Sequence, residues 1–387
     1  MGENMSASLH IGLDGSRLAK AAYTGTEHYT WQIFNHMFRV APHHRYTVYA
    51  PQKPTLPLDT GYAHVTWRII PFPRLWTQLR LSLEFATRPQ PDVLFVPSHT
   101  VPLIHPKATV VTVHDLGFRS HPEYYTTSER LFQEFALWQA TRSARRLIAI
   151  SNTTRSDILE HARIPSNRVQ TIYHGIDRDQ FHPQRIGELP SNEQRAASPY
   201  IYTVGRLEAK KNTPLLIRAF RILAERYHLP HHLVLAGKPG THGYSEVQQA
   251  LAELPAEIRN RVHCIGYVPD DAHASWLRHA AAFVFPSGFE GFGMPLLEAM
   301  ASEIPIIASR SSSIPEIVAD AGILVNPTRA EAIAEGIAAV LTDKHQAQVL
   351  ITKGRKRERQ FSWERAARET IGVIEAVRKE LINEKRT

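Results

Sequence analysis

The sequence predicts an α/β protein built from doubly wound parallel sheets. Three observations point there. Short apolar runs recur along the 387 residues, several rich in Val and Ile and apolar on both faces. Stretches of helical period lie between many of them. Glycine-containing turns follow several of the runs, where ligands of open α/β sheets bind.

In chain order, a short strand leads into IGLDGSRLAKAAYTGTEH from Ile11. Further strands are expected at Val110–Val113, Arg146–Ile150, Val169–Tyr173, Ile201–Val204, His232–Ala236, Ala282–Phe285, Ile304–Ala308 and Ile323–Val325. Helices are expected at Pro214–Tyr227, Ala330–Leu341 and Trp363–Leu381. The segment from Asp179 to Pro199 is polar, holds three prolines and has no sustained apolar period, as a linker would. It divides residues 1–185 from a second domain over 198–365, with a C-terminal helix over 366–387.

Composition narrows the function classes. Lys and Arg number 45 and Asp and Glu 37, a formal charge of +8. That excess suits nucleic acid, an anionic membrane face, a polyphosphate ligand, or solubility alone. No interleaving of aromatic and basic residues supports nucleic acid. The single cysteine, Cys264, excludes an intrachain disulfide and a C-x-x-C metal cluster. Met1–Ser16 has no charged-then-apolar signal pattern, and no apolar run reaches the roughly 18 residues of a membrane span. The expected location is the cytoplasm.

The most informative segment is AFVFPSGFEGFGMPLLE, Ala282–Glu298. A buried strand ends at Pro286, a loop with Gly288, Gly291 and Gly293 follows, and Pro295 suits the first turn of a helix. Backbone N–H groups around Phe292–Leu296, backed by the helix dipole, make an anion site. Glu290 on the loop and Glu298, expected in the helix's first turn, flank it. Carboxylates beside a phosphate need other donors, and sugar hydroxyls are suitable ones. The alternative is that Glu298 only favours the helix N-terminus and Glu290 is a solvated loop residue.

In IYTVGRLEAKKN, Ile201–Asn212, a strand ends and Gly205 turns the chain. Arg206 and Lys211 could then balance a diphosphate and its developing charge. A solvated basic turn is the alternative. HLVLAGKPG, His232–Gly240, repeats the strand–glycine pattern with Lys238. Near the N-terminus, Thr24-Gly25-Thr26 looks like the turn into a helix from Glu27. There Gly25 would let a phosphate approach, or Thr24 or Thr26 would cap the helix. His114 ends the strand VVTVHD, as a structural or a functional histidine.

Together these residues resemble the retaining GT-B glycosyltransferases of family GT4, across nearly the whole chain and in the same order. Glu290 and Glu298 match that family's E-x7-E motif, and Gly205-Arg206 with Lys211 match its basic segment. His174-Gly175-Ile176-Asp177 with Phe181, and Ile150-Ser151, add support. The resemblance implies two Rossmann-like domains facing a central cleft. Arg206 and Lys211 would hold the donor diphosphate, Glu298 the ribose, and Glu290 the donor sugar. Backbone of Gly291, Phe292, Gly293, Met294 and Leu296 would surround sugar and phosphates. Ile265-Gly266-Tyr267-Val268 matches the part that holds the base. Gly25 would face the phosphates and His114 the donor sugar, while the family's second glycine is replaced here by Thr26. Phe361-Ser362-Trp363 and the following helix match the element that crosses back to the first domain.

VHDLGFRSHPEYY (Val113–Tyr125) and PRLWTQLRLSLE (Pro73–Glu84) are closest to bacterial mannosyltransferase-like members. The implied reaction is retaining transfer of a hexose, mannose from GDP-mannose or a sugar from a UDP-sugar. A glycan or lipid-linked acceptor in cell-surface polysaccharide or glycolipid synthesis would receive it. The catalytic set would be Glu290, His114, Arg206 and Lys211. No cofactor and no divalent metal is expected, since the two cations take the metal's part. The rival readings are a nucleotide-sugar epimerase, a phosphorylase and a non-catalytic nucleotide-binding module. Pro73–Arg88 mixes Arg74, Arg80 and Arg88 with Leu75, Trp76, Leu79, Leu81 and Leu83. It reads either as an inner-membrane docking segment or as a helix packed on its own sheet.

Overall fold

The computed structural model describes residues 8–19, 25–54, 62–184, 188 and 191–386. Contacts divide the chain into two units. The first comprises Met1–Leu116, Thr127–Gly175 and Ser362–Thr387; the second comprises Gly117–Thr126 and Ile176–Phe361. The partition changes unit at Gly175, upstream of the proline-rich linker read at 179–199. Residues 185–187, 189 and 190 of that linker lie outside the described residues, as does Thr24.

The first unit carries seven strands: β1 His10–Asp14, β2 Arg45–Ala50, β3 Val65–Ile69, β4 Val93–Val96, β5 Thr109–Val113, β6 Arg146–Ala149 and β7 Val169–Thr171. All pair in parallel, in the order β3-β2-β1-β4-β5-β6-β7. β5 is buried along its whole length, as its apolar run Val110–Val113 implies; β4 is equally buried but is not among the expected strands. β2 and β3 were not visible as runs, because Arg45, Tyr46, Thr47, Trp67 and Arg68 interrupt them. β3 is an edge strand with its side chains only partly covered, so it needs no continuous apolar run.

The Trp363–Glu384 helix packs along the Gly25–Val40 helix in this unit. It buries Trp363, Ala366, Ala367, Thr370, Ile371, Ile374 and Val377, a stripe at helical spacing. Arg378 pairs with Asp92 at 2.7 Å and Arg145 with Glu380 at 3.3 Å.

The second unit carries six strands: β8 Tyr200–Val204, β9 His232–Ala236, β10 Val262–Gly266, β11 Ala282–Phe285, β12 Ile306–Ser309 and β13 Ile323–Val325. They too are all parallel, in the order β10-β9-β8-β11-β12-β13. Strand order reverses between β8 and β11, the switch point where doubly wound sheets bind ligands outside their carboxyl ends. Helices Thr213–Tyr227 and Ala330–Thr342 bury Leu216, Ile217, Phe220, Ile333 and Ile337 on one apolar core with β8, β9 and β11.

Candidate active site

The loops that leave β8 and β11 run side by side because those strands are neighbours. They are stitched by Gly288 N–H to Lys210 O at 3.0 Å and Asn212 Nδ2 to Pro286 O at 3.2 Å. Gly237, after β9, supports the first loop from behind. Its φ is +152°, and a Cβ there would lie 1.7 Å from Gly205 O, so only glycine fits. Gly205 N–H donates to Ala236 O and Gly237 N–H to Gly266 O, at 3.0 and 2.7 Å.

This framework brings together Lys211 and Glu290. Lys211 Nζ donates to Glu290 Oε1 at 2.5 Å, with the ammonium 5.8 Å from the Phe285 ring. Arg206 stands exposed on the same loop, and Gly205, Arg206, Lys211, Phe285 and Ser287 line one small cavity. Two cations and a carboxylate thus gather at the switch point, suited to a phosphate-bearing ligand with hydroxyls.

Glu298 departs from its expected position. Gly293, at φ +95°, delays the helix, which runs Met294–Ala301 with Pro295 in its first turn. Glu298 is therefore the fifth helical residue, past the first turn, and it is buried. Its Oε2 accepts from His273 Nε2 at 2.9 Å. The expected run of offered amides is shorter as well, because Leu296 N–H donates to Gly293 O at 3.0 Å. Gly291 and Met294 are half-buried and Phe292 is buried.

At the end of β10, Tyr267 is 57% exposed, and Lys238 Nζ lies 5.0 Å above its ring. Val268 follows, half-buried. The exposed ring offers a flat face on which a base could stack.

Gly25 and His114 lie in the first unit. Gly25 is exposed and is the first residue of the Gly25–Val40 helix, which thus starts two residues before the expected Glu27. Thr26 sits inside that helix and is not its cap, since the helix has already begun before it. A Cβ on Gly25 would meet nothing within 4 Å. His114 Nε2 donates to Pro97 O at 2.8 Å, with Tyr29 edge-on at 5.0 Å. Burial pulls its pKa down to about 4 against the smaller opposing effect of that hydrogen bond. The ring is neutral near pH 7, with Nδ1 left as an acceptor.

Sequence reasoning missed the struts under the β11 loop. Ser309 ends β12 and Ser311, Ser312 and Ser313 follow it; all four donate to carbonyls of that loop. Ser309 Oγ and Ser311 Oγ reach Ser287 O at 2.6 and 3.1 Å, Ser313 Oγ reaches Glu290 O at 2.9 Å, and Ser312 Oγ also donates to Glu290 O. The visible signal was the serine run itself, placed after a buried strand.

Residues 188–357 match the family model described as glycosyl transferases group 1, and residues 23–180 match the model for Glycosyltransferase Family 4. O-antigen chain mannosyltransferase B of Escherichia coli is 31% identical over 267 residues, which are 68% of this chain and 69% of that protein. The chain belongs to glycosyltransferase family 4. O-antigen chain mannosyltransferase RfbU of Salmonella typhimurium is 25% identical to this family 4 enzyme, over 65% of each chain. The solved sucrose-phosphate synthase of Thermosynechococcus elongatus has the same fold, with a TM-score of 0.73 at 20% identity, over 97% of this chain and 100% of that one. The fold of this glycosyltransferase is GT-B, two parallel-sheet α/β units.

Among the described residues of this glycosyltransferase, His43, His44 and Glu375 come close enough together to be weighed as metal ligands. They lie in the first unit, with Glu375 on the Trp363–Glu384 helix. His44 Nδ1 accepts from Leu9 N–H at 3.2 Å, which leaves the ring proton on Nε2, facing Glu375 Oε1 at 3.2 Å. That arrangement is a hydrogen bond rather than a ligand pair. No helix among the described residues is long and apolar enough to cross a membrane.

Proposed function

We propose that this glycosyltransferase moves mannose from GDP-mannose to a glycan or lipid-linked acceptor of cell-surface polysaccharide, with retention of anomeric configuration and without a divalent metal. The observation that carries the reading is the Lys211–Glu290 pair at 2.5 Å beside exposed Arg206, at the switch between β8 and β11. Arg206 and Lys211 take the diphosphate and stabilise it as it leaves. On arrival the phosphate draws Lys211 toward itself, and Glu290 is released to the donor sugar. Glu298 accepts from the ribose hydroxyls, Tyr267 and Val268 flank the base, and Lys238 lies beside them. In the first unit, Gly25 and neutral His114 meet the phosphates and sugar, His114 through Nδ1. Mannose is favoured because the named relatives above are mannosyltransferases.

A thermal-shift screen of GDP- and UDP-sugars tests the donor. GDP-mannose should raise the melting temperature, and a response to UDP-sugars alone overturns the choice. Anomeric proton couplings of the product test retention. Full activity in EDTA is expected, and loss restored by magnesium would contradict the metal-free reading.

We propose further that the first unit docks on an anionic bilayer at the cytoplasmic membrane face, which brings a lipid-linked acceptor within reach. Of the thirteen exposed large hydrophobic side chains among the described residues, ten fall in three of its segments: Phe72, Leu75, Leu79 and Leu83; Leu103 and Ile104; Leu131, Phe132, Phe135 and Trp138. The segments touch. Ile104 N–H donates to Ser82 Oγ at 3.2 Å, and Gln139 Nε2 to Pro102 O at 2.9 Å. The Thr127–Ser143 helix buries Ala136, Leu137, Gln139, Ala140 and Thr141, while the large apolar Leu131, Phe135 and Trp138 face outward.

Charge favours lipid as the occupant over a protein. Arg68, Arg80 and Arg88 surround the single buried carboxylate of Glu84. Arg142, stacked 5.3 Å from the Trp138 ring, borders a cavity of about 790 Å³. Five Lys and Arg side chains line that cavity against Glu380 and Glu384. Apolar side chains with flanking cations suit headgroups and acyl chains together. The protein should float with phosphatidylglycerol vesicles, and Phe135→Asp with Trp138→Asp should abolish this. Wild-type protein that stays in the soluble fraction, or that uses this face to dimerise in sedimentation, defeats the idea.

A further inference from the structure

Behind Glu298 lies a buried chain of polar groups that no motif marked. Tyr202 Oη is 2.9 Å from His273 Nδ1, and His273 Nε2 is 2.9 Å from Glu298 Oε2. All three residues are buried. Phe181 stands edge-on to the imidazole at 5.7 Å, and the Trp276 ring lies within 6° of parallel to Tyr202. Water has little access, so the proton positions follow from the donors and acceptors present. The tyrosine hydroxyl donates to Nδ1. The imidazole is then neutral with its proton on Nε2, and it donates to an ionised carboxylate. Burial pushes the Tyr202 phenol well above its ordinary value, which keeps it a donor.

We infer that His273 is a positioning residue of this glycosyltransferase: fixed in its Nε2–H tautomer by Tyr202, it pins Glu298 Oε2 and leaves Oε1 aimed at the vicinal hydroxyls of a bound ribose. The inference rests on Glu298 being the ribose carboxylate. A long acidic side chain free to rotate would lose that freedom on binding, and a buried one without a donor would lose its solvation uncompensated. The histidine removes both costs before the ligand arrives. It touches no reacting atom, so its loss belongs in donor affinity rather than in turnover.

The test is calorimetric binding of GDP and UDP, and of their 2′,3′-dideoxy counterparts, to wild type, His273→Leu, His273→Gln and Tyr202→Phe. Wild type should bind one of the two diphosphates. His273→Leu keeps the bulk and loses the donor, and should weaken that binding about 10-fold or more, the range for a hydrogen bond to a charged group. Glutamine can both donate to Glu298 and accept from Tyr202, so His273→Gln should recover to within about 3-fold. Tyr202→Phe should cost about 3-fold, and the donor KM should rise in each weakened variant with kcat nearly constant. For the dideoxy ligand, wild type and His273→Leu should bind alike. Equal affinity of His273→Leu and wild type for the full ribose overturns the inference alone. So does an equal loss for the dideoxy ligand, which would mark a general structural role. If wild type binds neither diphosphate, the proposed function falls and this inference with it.

Discussion

The two units share an architecture and differ in what they place at strand ends. In the second, opposite charges meet where Lys211 pairs with Glu290 after β8 and β11, and behind them the neutral His273 ring donates to the Glu298 carboxylate. In the first, imidazoles are kept dry and neutral. His114 is held near a pKa of about 4, and burial pushes His99 and His174 below their ordinary value. The same chain order of strands and helices therefore supports two chemistries. A charged ligand requires fixed countercharges, whereas a neutral sugar requires oriented acceptors that carry no charge to desolvate.

The contrast is broken most severely by removing the charges. Arg206→Ala and Glu298→Ala should each lower kcat/KM by about 100-fold or more, Arg206 through a charge-assisted contact that strengthens in the transition state and Glu298 through lost donor binding. Initial rates with labelled donor read this, and the exposed Arg206 should leave the melting temperature unchanged. Near-normal activity in either variant would contradict the assigned roles.

Next in size is the backbone beneath those charges. Gly237→Ala places a methyl group 1.7 Å from Gly205 O at a φ of +152°. A loss of about 3 kcal/mol in urea unfolding is expected.

Acid sharpens the first unit's side of the comparison. The folded His114 pKa lies below the unfolded value of about 6.5. Its contribution to stability is therefore present above pH 6.5 and is lost as pH falls toward 4. His114→Gln should flatten the fall of unfolding free energy over that window by up to one proton, about 1.4 kcal/mol per pH unit. An unchanged slope would mean the ring is not held neutral.

The smallest expected effect is at the outward face of the Thr127–Ser143 helix. Leu131 is 66% exposed, so Leu131→Ser should change stability by less than about 0.5 kcal/mol while reducing vesicle flotation.

Much of this was legible along the chain. Apolar runs without alternation forced covered parallel strands at β5, β11 and β12. Gly205, Gly293 and Pro295 marked the turns where the chain must leave a strand and start a helix. Local sterics and burial dictate such features, and both are written in neighbouring residues. β2 and β3 were not legible, since Tyr46, Trp67 and Arg68 satisfy a strand only through the neighbours it pairs with.

The sequence by itself determined the family, the strand–glycine–helix units, and which cations and carboxylates stand at strand ends. Only the tertiary structure decided that Lys211 grips Glu290, that serines at the end of β12 and after it brace the β11 loop, and that Tyr202 and His273 stand behind Glu298. Residues 22 to 79 positions apart in the chain make these contacts. Their distances are set by strand order and register, and no local pattern encodes which parallel strand lies beside which.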